Sequence, residues 1–305
     1  MRVLVTGASG LVGGGLVPAL AAEGHAVVRL GRSAARGADV VWEPAAGRLP
    51  RAALEGLDAV VHLAGESIAA RRWSEQRRRA LVASRVQPTL LLATTLATLE
   101  RPPRVLVSAS AVGIYGDRGD ERLDERAAPG SGFLAELARA WEAATEPAAA
   151  RGIRVVRLRL GLVLAAGGGL VARLVPWFRL GLGGPLGSGR QWMSWIAEAD
   201  LIAAIRHAIA RADLSGAVNA VAPGAVTNRD FARALGAALG RPAWLPAPAP
   251  LLRAAFGAMA REALLAGQRA IPARLLATGF EFRFPELAPA LRHLLGHAAS
   301  GTRGS

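Results

Sequence analysis

Two short stretches of the chain hold residue types and spacings that could do chemistry. Within Gly7–Gly13, glycine occupies every third position directly after an apolar run. Further along, Ser108 and Ser110 precede Tyr115, which is the only tyrosine. Glycines at this spacing are typical of a turn that wraps a pyrophosphate, and serines followed by a tyrosine are typical of a dehydrogenase active site. Together the two stretches indicate redox chemistry with a dinucleotide.

The glycine turn has the sequence context that a dinucleotide site needs. A strand predicted at Arg2–Thr6 leads into it, and a helix predicted at Leu11–Glu23 follows it. Gly7 allows the tight turn, Gly10 lets the backbone approach a pyrophosphate, and Gly13 permits close packing of helix on strand. Amides at the helix start would bind the phosphates. The predicted cofactor-binding residues of this turn are Gly7, Ser9, Gly10, Leu11, Val12 and Gly13.

The end of the second predicted strand distinguishes between two cofactors. A site for NAD usually places an acidic residue here, and none occurs from His25 to Ala38. Gly31, Arg32 and Ser33 stand there instead, and the last two could hold a 2′-phosphate. We therefore predict NADP(H) rather than NAD(H). The alternative is that Arg32 is one more solvated arginine in an arginine-rich chain.

A third candidate segment follows the fourth predicted strand. There His62 is succeeded by Leu63, Ala64 and Gly65, whose backbone and small side chains would pass along the adenine ribose. We interpret His62 as a strand-end histidine with satisfied hydrogen bonds, because no second ligand pattern accompanies it. No metal site is predicted.

The catalytic pattern is incomplete. In a dehydrogenase dyad, a lysine lowers the tyrosine pKa and holds the nicotinamide ribose. All 37 residues in the combined lysine and arginine count are arginine. An unassisted tyrosine, with an ordinary pKa of about 10, is only about 0.1% ionised at pH 7. We therefore predict that Ser110 polarises a carbonyl while Tyr115 or water supplies the proton. The alternative is structural: Tyr115 shapes its loop, and the backbone satisfies Ser110.

Composition excludes several classes of function. An apolar share of 52% over 305 residues indicates a folded protein. The absence of cysteine excludes disulfides and thiolate catalysis, and the absence of lysine excludes Schiff-base chemistry. Although the net charge is +14, arginine is spread along the chain and aromatics make up only 5%, so no nucleic-acid partner is expected.

No membrane partner is expected either. The apolar stretch Val155–Val175 is interrupted by Arg157, Arg159 and Arg173, and the N-terminus runs directly into a strand. These features predict a cytoplasmic protein. In the run Arg77–Arg79, consecutive arginines fan around a helix, so a solvated face is expected there. A homodimer is among the assemblies that the sequence allows.

Apolar runs alternate with helical patterns, which predicts an α/β fold with a Rossmann-type, doubly wound parallel sheet. The predicted strands are Arg2–Thr6, Ala26–Leu30, Val40–Trp42, Ala59–Leu63, Val105–Ser108 and Val155–Leu160. The predicted helices are Leu11–Glu23, Ser74–Leu99 and Phe133–Ala149, with Ser74 and Ser131 as N-caps and Gly24 as a C-terminal cap.

Composition changes near residue 228, where the chain becomes helical and rich in alanine and proline. We predict an NADP-binding domain at residues 1–228, with a glycine-rich excursion at 165–190. A small, mainly helical subdomain at 229–298 would cap the nicotinamide end and select the substrate. Residues 299–305 are predicted to form a disordered tail.

Several motifs resemble one known family along nearly the whole chain. They are Gly7-x-x-Gly10-x-x-Gly13, His62–Glu66, Arg72–Arg85, Ser108–Gly116, Trp141-Glu142, Gly161–Gly189, Asn219–Pro223 and Gln268–Leu287. This pattern resembles the atypical extended short-chain dehydrogenase/reductases described as epimerase family proteins, with their C-terminal domain of unknown function. The resemblance implies NADP(H) binding. The further cofactor positions expected on this basis are Arg85, Ser108, Leu160 and Leu162.

The chain departs from ordinary short-chain dehydrogenases in two places. Leu134 and Ala138 stand where the dyad tyrosine and lysine should be, and Ala197 stands where relatives often carry histidine. The leading interpretation is an NADP(H)-dependent oxidoreductase or epimerase-like enzyme that reduces a carbonyl of a small-molecule substrate. The alternative is a non-catalytic NADPH-binding protein that regulates a protein partner, in cell division for example.

Overall fold

Seven of the strands form one sheet. The structure is a computed structural model that describes residues 1–69 and 71–300. Valine and leucine dominate the first strand, and Val3, Leu4 and Val5 are fully buried, as expected of a sheet covered on both faces. The strands are β1 (Arg2–Thr6), β2 (Ala26–Gly31), β3 (Val40–Val41), β4 (Ala59–His62), β5 (Val105–Ala111), β6 (Arg122–Leu123), β7 (Arg154–Leu160), β8 (Leu162–Leu164), β9 (Trp192–Met193), β10 (Trp195–Ala197), β11 (Gly216–Ala220), β12 (Val226–Thr227) and β13 (Arg269–Ala270).

The strand order of the large sheet is β11-β7-β5-β4-β1-β2-β3. Strand β1 pairs in parallel with both β2 and β4, so that Val5 lies between Arg29 and Val61. The chain therefore winds outward from β1 in one direction and then in the other. This reversal leaves a crevice at the carboxyl ends of β1 and β4, where doubly wound sheets bind ligands. The predicted Rossmann-type fold is confirmed.

Helices connect the strands and follow the predicted start and stop signals. Ser74 caps the second helix by accepting a hydrogen bond from the Arg77 amide at 3.1 Å, and Gly24 ends the first with a φ of +78°. The helices are α1 (Leu11–Ala22), α2 (Glu75–Ala97), α3 (Phe133–Ala143), α4 (Glu146–Ala150), α5 (Gly169–Arg179), α6 (Glu198–Ala210), α7 (Asn228–Leu239), α8 (Ala249–Phe256), α9 (Ala273–Ala277) and α10 (Leu287–Ser300).

Two local predictions about the third helix are wrong. The single helix predicted at Phe133–Ala149 is broken into α3 and α4, because Pro147 has no amide to donate and sits at the start of α4. The predicted N-cap Ser131 is also misplaced. The amide of Leu134 donates instead to the carboxylate of Glu262 at 3.0 Å, so a distant side chain caps α3.

Strand β5 is longer than predicted. The prediction ended it at Ser108, whereas the structure continues it through Ala111. Alternating serine and alanine carry little β propensity, but both serines are buried and the strand runs inside the sheet. Ser110 is therefore held by a strand rather than by a loop.

The contacts divide the chain into two compact units. The first unit comprises residues 1–111, 137–159 and 202–218, and its core includes Leu4, Leu92 and Leu106. The second comprises residues 112–136, 160–201 and the chain from Asn219 onward, with a core around Trp195. The second unit thus also takes in chain that precedes residue 228. The predicted functional division at that residue stays a prediction.

From Asn228 the chain is mainly helical, as predicted, and α7 packs against α10 within the second unit. Helix α10 continues through Ser300, so the first two residues of the predicted tail are helical. The rest of that tail, residues 301–305, lies outside the described residues.

Among the described residues, α2 is the one helix whose length and composition would allow it to cross a membrane. Its residues Leu92, Ala93 and Leu96 are fully buried in the core of the first unit. Helix α2 is therefore a core helix of this fold.

Candidate cofactor site and active site

The glycine turn between β1 and α1 can be built only with glycine at two positions. Gly7 has a φ of +68°, and a Cβ there would lie 2.9 Å from the Leu63 carbonyl carbon. At Gly13, a Cβ would lie 2.2 Å from the Gly7 carbonyl oxygen. Side chains at either position would therefore push β1, β4 and α1 apart.

The start of α1 is open to a ligand. Gly10 is the N-cap and supplies no side chain, and the first turn contains no acidic residue. Ser9, Gly10 and Leu11 are all exposed. The first amides of a helix have no partner within the helix, and the helix dipole makes this end positive. The turn therefore fits an anionic pyrophosphate group.

The end of β2 presents a cation without a competing carboxylate. Arg32 is exposed, and no acidic residue in the described chain pairs with it. The first acidic residue after β2, Asp39, accepts hydrogen bonds from Arg29, at 3.0 Å from Nε and 2.7 Å from Nη2. The Arg29 side chain, and then its amide, lower the pKa of Asp39. The edge beside Gly31 and Ser33 thus keeps the positive charge of Arg32 available for a phosphate.

A buried polar network holds the ends of β1 and β4 together. The hydroxyl of Thr6 accepts hydrogen bonds from the amides of Leu63 and Ala64, both at 3.1 Å, and lies 2.8 Å from His62 Nδ1. On its other side, His62 Nε2 lies 2.9 Å from the hydroxyl of Thr89 in α2. Leu63 and Ala64, two predicted cofactor residues, are therefore positioned by the side chain of Thr6.

The hydrogens of this network can be assigned by exclusion. The Thr89 hydroxyl donates to the carbonyl of Arg85 at 2.6 Å and accepts from Trp141 Nε1 at 3.0 Å. Its remaining lone pair can only accept, so His62 must carry its hydrogen on Nε2. Thr6 then donates its own hydrogen to Nδ1. Every polar atom of the chain of bonds is satisfied in this one tautomer, which confirms the interpretation of His62 as a structural histidine.

An arginine of α2, Arg85, supports the segment that follows Ala64. Arg85 is buried, donates to the carbonyl of Glu66 at 2.6 Å and lies over the Trp141 ring, while burial lowers its pKa to about 10. It remains a cation at neutral pH. Its guanidinium carbon packs close to Gly65, where an added Cβ would lie 3.5 Å from it. Arg85 therefore positions this segment; its direct contact with a cofactor stays a prediction.

The solvated face predicted for Arg77–Arg79 is wrong at its first residue. Arg77 is only 15% exposed, forms an ion pair with Glu66 and donates to the carbonyl of Ser67 at 2.8 Å. It faces inward because it lies two turns before Arg85 on the same side of the helix. Arg79, by contrast, is exposed, as predicted. It pairs with Glu75 across one turn of the helix.

Ser110 is part of a hydroxyl–carboxylate–guanidinium cluster. Its hydroxyl donates to Glu142 Oε1 at 2.7 Å. Arg159 holds the same carboxylate with two bonds, from Nε to Oε1 at 2.8 Å and from Nη2 to Oε2 at 3.0 Å. A hydroxyl has one hydrogen, so a Ser110 that donates to Glu142 cannot also donate to a carbonyl. The predicted role of Ser110 as donor does not fit this geometry, because its partner is a carboxylate rather than the backbone.

Sequence reasoning missed this pairing, although both partners left a signal. Arg159 interrupts an apolar strand, β7, and a buried arginine needs an anion. Glu142 follows Trp141 on α3 and was noted only as part of a motif. Neighbouring Ser108 is also buried and makes a long hydrogen bond, 3.4 Å, to the carbonyl of Ala109. The cofactor role of Ser108 stays a prediction.

Tyr115 lies in the second unit and is fully buried. Its hydroxyl lies 2.7 Å from Asn219 Oδ1 and 3.0 Å from the carbonyl oxygen of Asp124. Asn219 uses its own amide hydrogens on the carbonyls of Leu123 and Ile271. The phenol hydrogen is thus committed to protein acceptors, which favours the structural interpretation of Tyr115 over a role in proton transfer.

The remaining predicted positions are apolar and also lie in the second unit. Leu162 pairs with Trp195 in the ladder of β8 and β10, and Leu160 ends β7. Leu134 stands in the place of the dyad tyrosine and packs close to Gly113, where an added Cβ would lie 3.4 Å from the Leu134 Cβ. The cofactor roles of Leu160 and Leu162 stay predictions. No cluster of metal-binding side chains occurs in the part of the chain that the structure describes.

Comparison with known families identifies both parts of the chain. The model described as the NAD dependent epimerase/dehydratase family matches residues 3–221, and a domain of unknown function, DUF1731, matches residues 247–294. An epimerase family protein of Mycobacterium bovis is 46% identical over 290 residues, which cover 95% of this chain and 96% of the relative. Human epimerase family protein SDR39U1 is 39% identical over 298 residues, with coverages of 97% and 100%.

Solved structures agree with these matches. The crystal structure of human epimerase family protein SDR39U1, isoform 2, with NADPH has a TM-score of 0.86 and 37% identity, and the match covers 97% of this chain and 99% of that one. UDP-glucose 4-epimerase of Thermus thermophilus, in complex with NAD, has a TM-score of 0.75 at 21% identity with both chains fully covered, which shows the fold alone. The resemblance drawn from the motifs is confirmed.

Gly13→Ala should destabilise the protein, because the new Cβ would meet the Gly7 carbonyl oxygen at 2.2 Å. We expect a loss of about 2 kcal/mol or more in the free energy of unfolding, measured by urea denaturation. Gly14→Ala is the matched control, since nothing lies within 4 Å of a Cβ there. It should be stabilising by up to about 1 kcal/mol. Equal losses in both variants would contradict the packing described for the turn.

Acid should destabilise the protein through His62, whose pKa is lowered to about 4 by burial. Above pH 6.5 the histidine is neutral in both folded and unfolded states. As the pH falls from 6.5 towards 4, only the unfolded state takes up the proton, so about 3 kcal/mol of stability is lost. His62→Gln should remove this part of the pH dependence in urea unfolding between pH 7 and 4.5. An unchanged pH slope in the variant would show that His62 does not titrate in this way.

Proposed function

Because this chain belongs to the NAD dependent epimerase/dehydratase family, we propose that it binds NADP(H) in its first unit and acts as an oxidoreductase or epimerase-like enzyme on a small molecule. The observation that carries the proposal is the uncapped glycine turn at Gly7–Gly13 beside an unopposed Arg32. A relative at 37% identity, human SDR39U1, was crystallised with NADPH, which supports the choice of cofactor. When bound, the nicotinamide would supply hydride chemistry.

The residues of the first unit fit the parts of such a cofactor. Amides at the start of α1 would hold the pyrophosphate, and Arg32 with Ser33 would hold the 2′-phosphate. The backbone of Leu63 and Ala64, fixed by Thr6, would line the adenine ribose. Asp39, the acidic residue that contacts β2, is paired with Arg29, so its charge is compensated and does not oppose a 2′-phosphate.

The Ser110 cluster supplies a route for a proton in place of the missing dyad. Ser110 donates to the carboxylate of Glu142, so its oxygen has lone pairs left to accept a hydrogen from a substrate hydroxyl. That hydrogen would move to Ser110 as the serine hydrogen moves to Glu142 Oε1, and the hydride given up by the substrate carbon would go to the oxidised nicotinamide. In the reverse direction a protonated Glu142 returns the proton through Ser110. Arg159 keeps the carboxylate in place.

The non-catalytic alternative draws support from the apolar residues Leu134 and Ala138 at the dyad positions and from the buried phenol of Tyr115. In that case the cofactor site would be occupied without turnover, and occupancy would regulate a protein partner. Binding measurements alone do not separate the two functions, whereas variants of Ser110 and Glu142 do.

Arg32→Ala should weaken NADPH binding about 10- to 100-fold, because a charge-assisted bond to the 2′-phosphate is lost. Binding of NADH, which has no such phosphate, should change by less than about threefold. Both dissociation constants can be measured from the fluorescence of the reduced nicotinamide. Arg36→Ala, also exposed and nearby, is the control and should leave both constants unchanged. Equal weakening of NADPH by the two variants would reject Arg32 as the phosphate ligand.

Ser110→Ala should slow single-turnover oxidation of NADPH by a panel of small aldehydes and ketones about 100-fold or more. Glu142→Gln should slow it similarly, while the dissociation constant of NADPH stays the same in both variants. Tyr115→Phe is the structural control: it should keep the rate but lose about 1 to 2 kcal/mol of stability. Equal rates in all variants and the wild type would favour the regulatory function.

A further inference from the structure

The large apolar side chains that remain exposed are concentrated in one part of the chain. Among the described residues, twelve such side chains are exposed, and seven of them lie in the segments 177–182 and 244–256. Trp177 is 59% exposed, Leu180 71%, Trp244 73% and Leu251 64%. Single exposed leucines need no explanation, but two tryptophans and five other apolar residues on two neighbouring segments do.

The two segments are adjacent in the second unit. The amide of Leu245 donates to the carbonyl of Gly183 at 3.2 Å, and the amide of Ala247 donates to that of Pro185 at 2.9 Å. Gly184 passes so close that a Cβ there would lie 2.0 Å from the Leu245 carbonyl oxygen. The two segments therefore run side by side at residues 183–185 and 245–247, and the exposed apolar residues of 177–182 and 244–256 are together called the tryptophan surface.

The stretches of chain that carry the tryptophan surface are rich in positive charge. The stretches 160–197 and 231–261 contain seven arginines and no acidic residue. Arg179, Arg241 and Arg253 are exposed, and in the described chain no acidic side chain pairs with them. Some exposed arginines elsewhere do face a carboxylate, as Arg79 faces Glu75 and Arg211 faces Asp213. The guanidinium groups of Arg179, Arg241 and Arg253 are therefore available to an anionic partner.

The tryptophans themselves fit a boundary between apolar and polar surroundings. Neither indole N–H of Trp177 or Trp244 has a hydrogen-bond partner among the described residues, and both rings are more than half exposed. An indole places its apolar body in an apolar phase and its N–H in a wet one, and it is enriched at the headgroup level of membranes for this reason.

We propose that the tryptophan surface binds peripherally to an anionic phospholipid membrane. Trp177, Leu180 and Trp244 insert at the headgroup level, and Arg179, Arg241 and Arg253 contact lipid phosphates. A surface that joins apolar side chains to basic ones matches an anionic leaflet in both respects. A second copy of the chain is a poorer occupant, because a symmetric contact would bring like charges together. This proposal departs from the expectation of no membrane partner, which rested on the lack of a spanning segment, because peripheral binding requires no spanning helix.

The test is sedimentation of the full chain with vesicles of phosphatidylcholine alone or with 30 mol% phosphatidylglycerol, as a function of salt. We expect binding to the anionic vesicles, a loss of about tenfold or more between 50 and 300 mM NaCl, and little binding to neutral ones. The double variant Trp177→Ser/Trp244→Ser should lose about tenfold or more in affinity. Leu276→Ser, at an exposed leucine outside the two segments in sequence, is the control and should bind like the wild type.

Folding of each variant is checked by its thermal unfolding midpoint, and a second pair keeps the test independent of the tryptophans. Arg179→Gln/Arg241→Gln should weaken binding to the anionic vesicles, whereas Arg36→Gln should not. Three outcomes would overturn the proposal: no binding to anionic vesicles, equal binding to neutral vesicles, or a dimer in ultracentrifugation that the tryptophan variant dissolves. None of these measurements involves NADPH, so they stand apart from the proposed redox function.

Discussion

One hydroxyl joins the two strands between which the sheet reverses its order. Thr6 ends β1, yet its side chain accepts the amides of Leu63 and Ala64 beyond the end of β4. The glycine turn can pass beside Leu63 only because Gly7 has no side chain, and α1 can begin there only because Gly13 has none. The crevice therefore has fixed walls before any ligand enters. Its preorganisation comes from strand ends that cannot move independently.

Arginine performs all cationic roles in this chain, and its planar fork has structural consequences. Arg159 holds both oxygens of Glu142, and Arg85 combines a bond to a carbonyl with stacking over Trp141. An ammonium group could make neither arrangement in the same way, because it has no plane and no paired donors. The absence of lysine removes the usual dyad, but Arg159 still places a buried positive charge close to Ser110.

The sequence predicted what depends on nearby residues and missed what depends on distant ones. Six strands of the large sheet, the glycine turn, the cap at Ser74 and the family were predicted, because propensity, spacing and motif are local signals. Strand β11 and the short strands of the second unit were not predicted. Glu262 caps α3, Asn219 receives the hydroxyl of Tyr115, and Glu142 takes the hydrogen of Ser110. Each of these pairs is brought together by tertiary folding alone. Which apolar side chains stay exposed also depends on the tertiary fold, so the tryptophan surface could not be predicted from the sequence.

The direction in which the Ser110 hydroxyl donates follows from the charge of its neighbours. Arg159 is only 8% exposed, and a buried guanidinium without an anion would be strongly unfavourable. Glu142 must therefore be ionised in the resting protein, and an ionised carboxylate can only accept. The serine hydrogen consequently turns towards Glu142 and leaves the oxygen lone pairs for another donor. A hydroxyl group on a bound molecule would satisfy that requirement, whereas a carbonyl oxygen, which has no hydrogen to donate, would not.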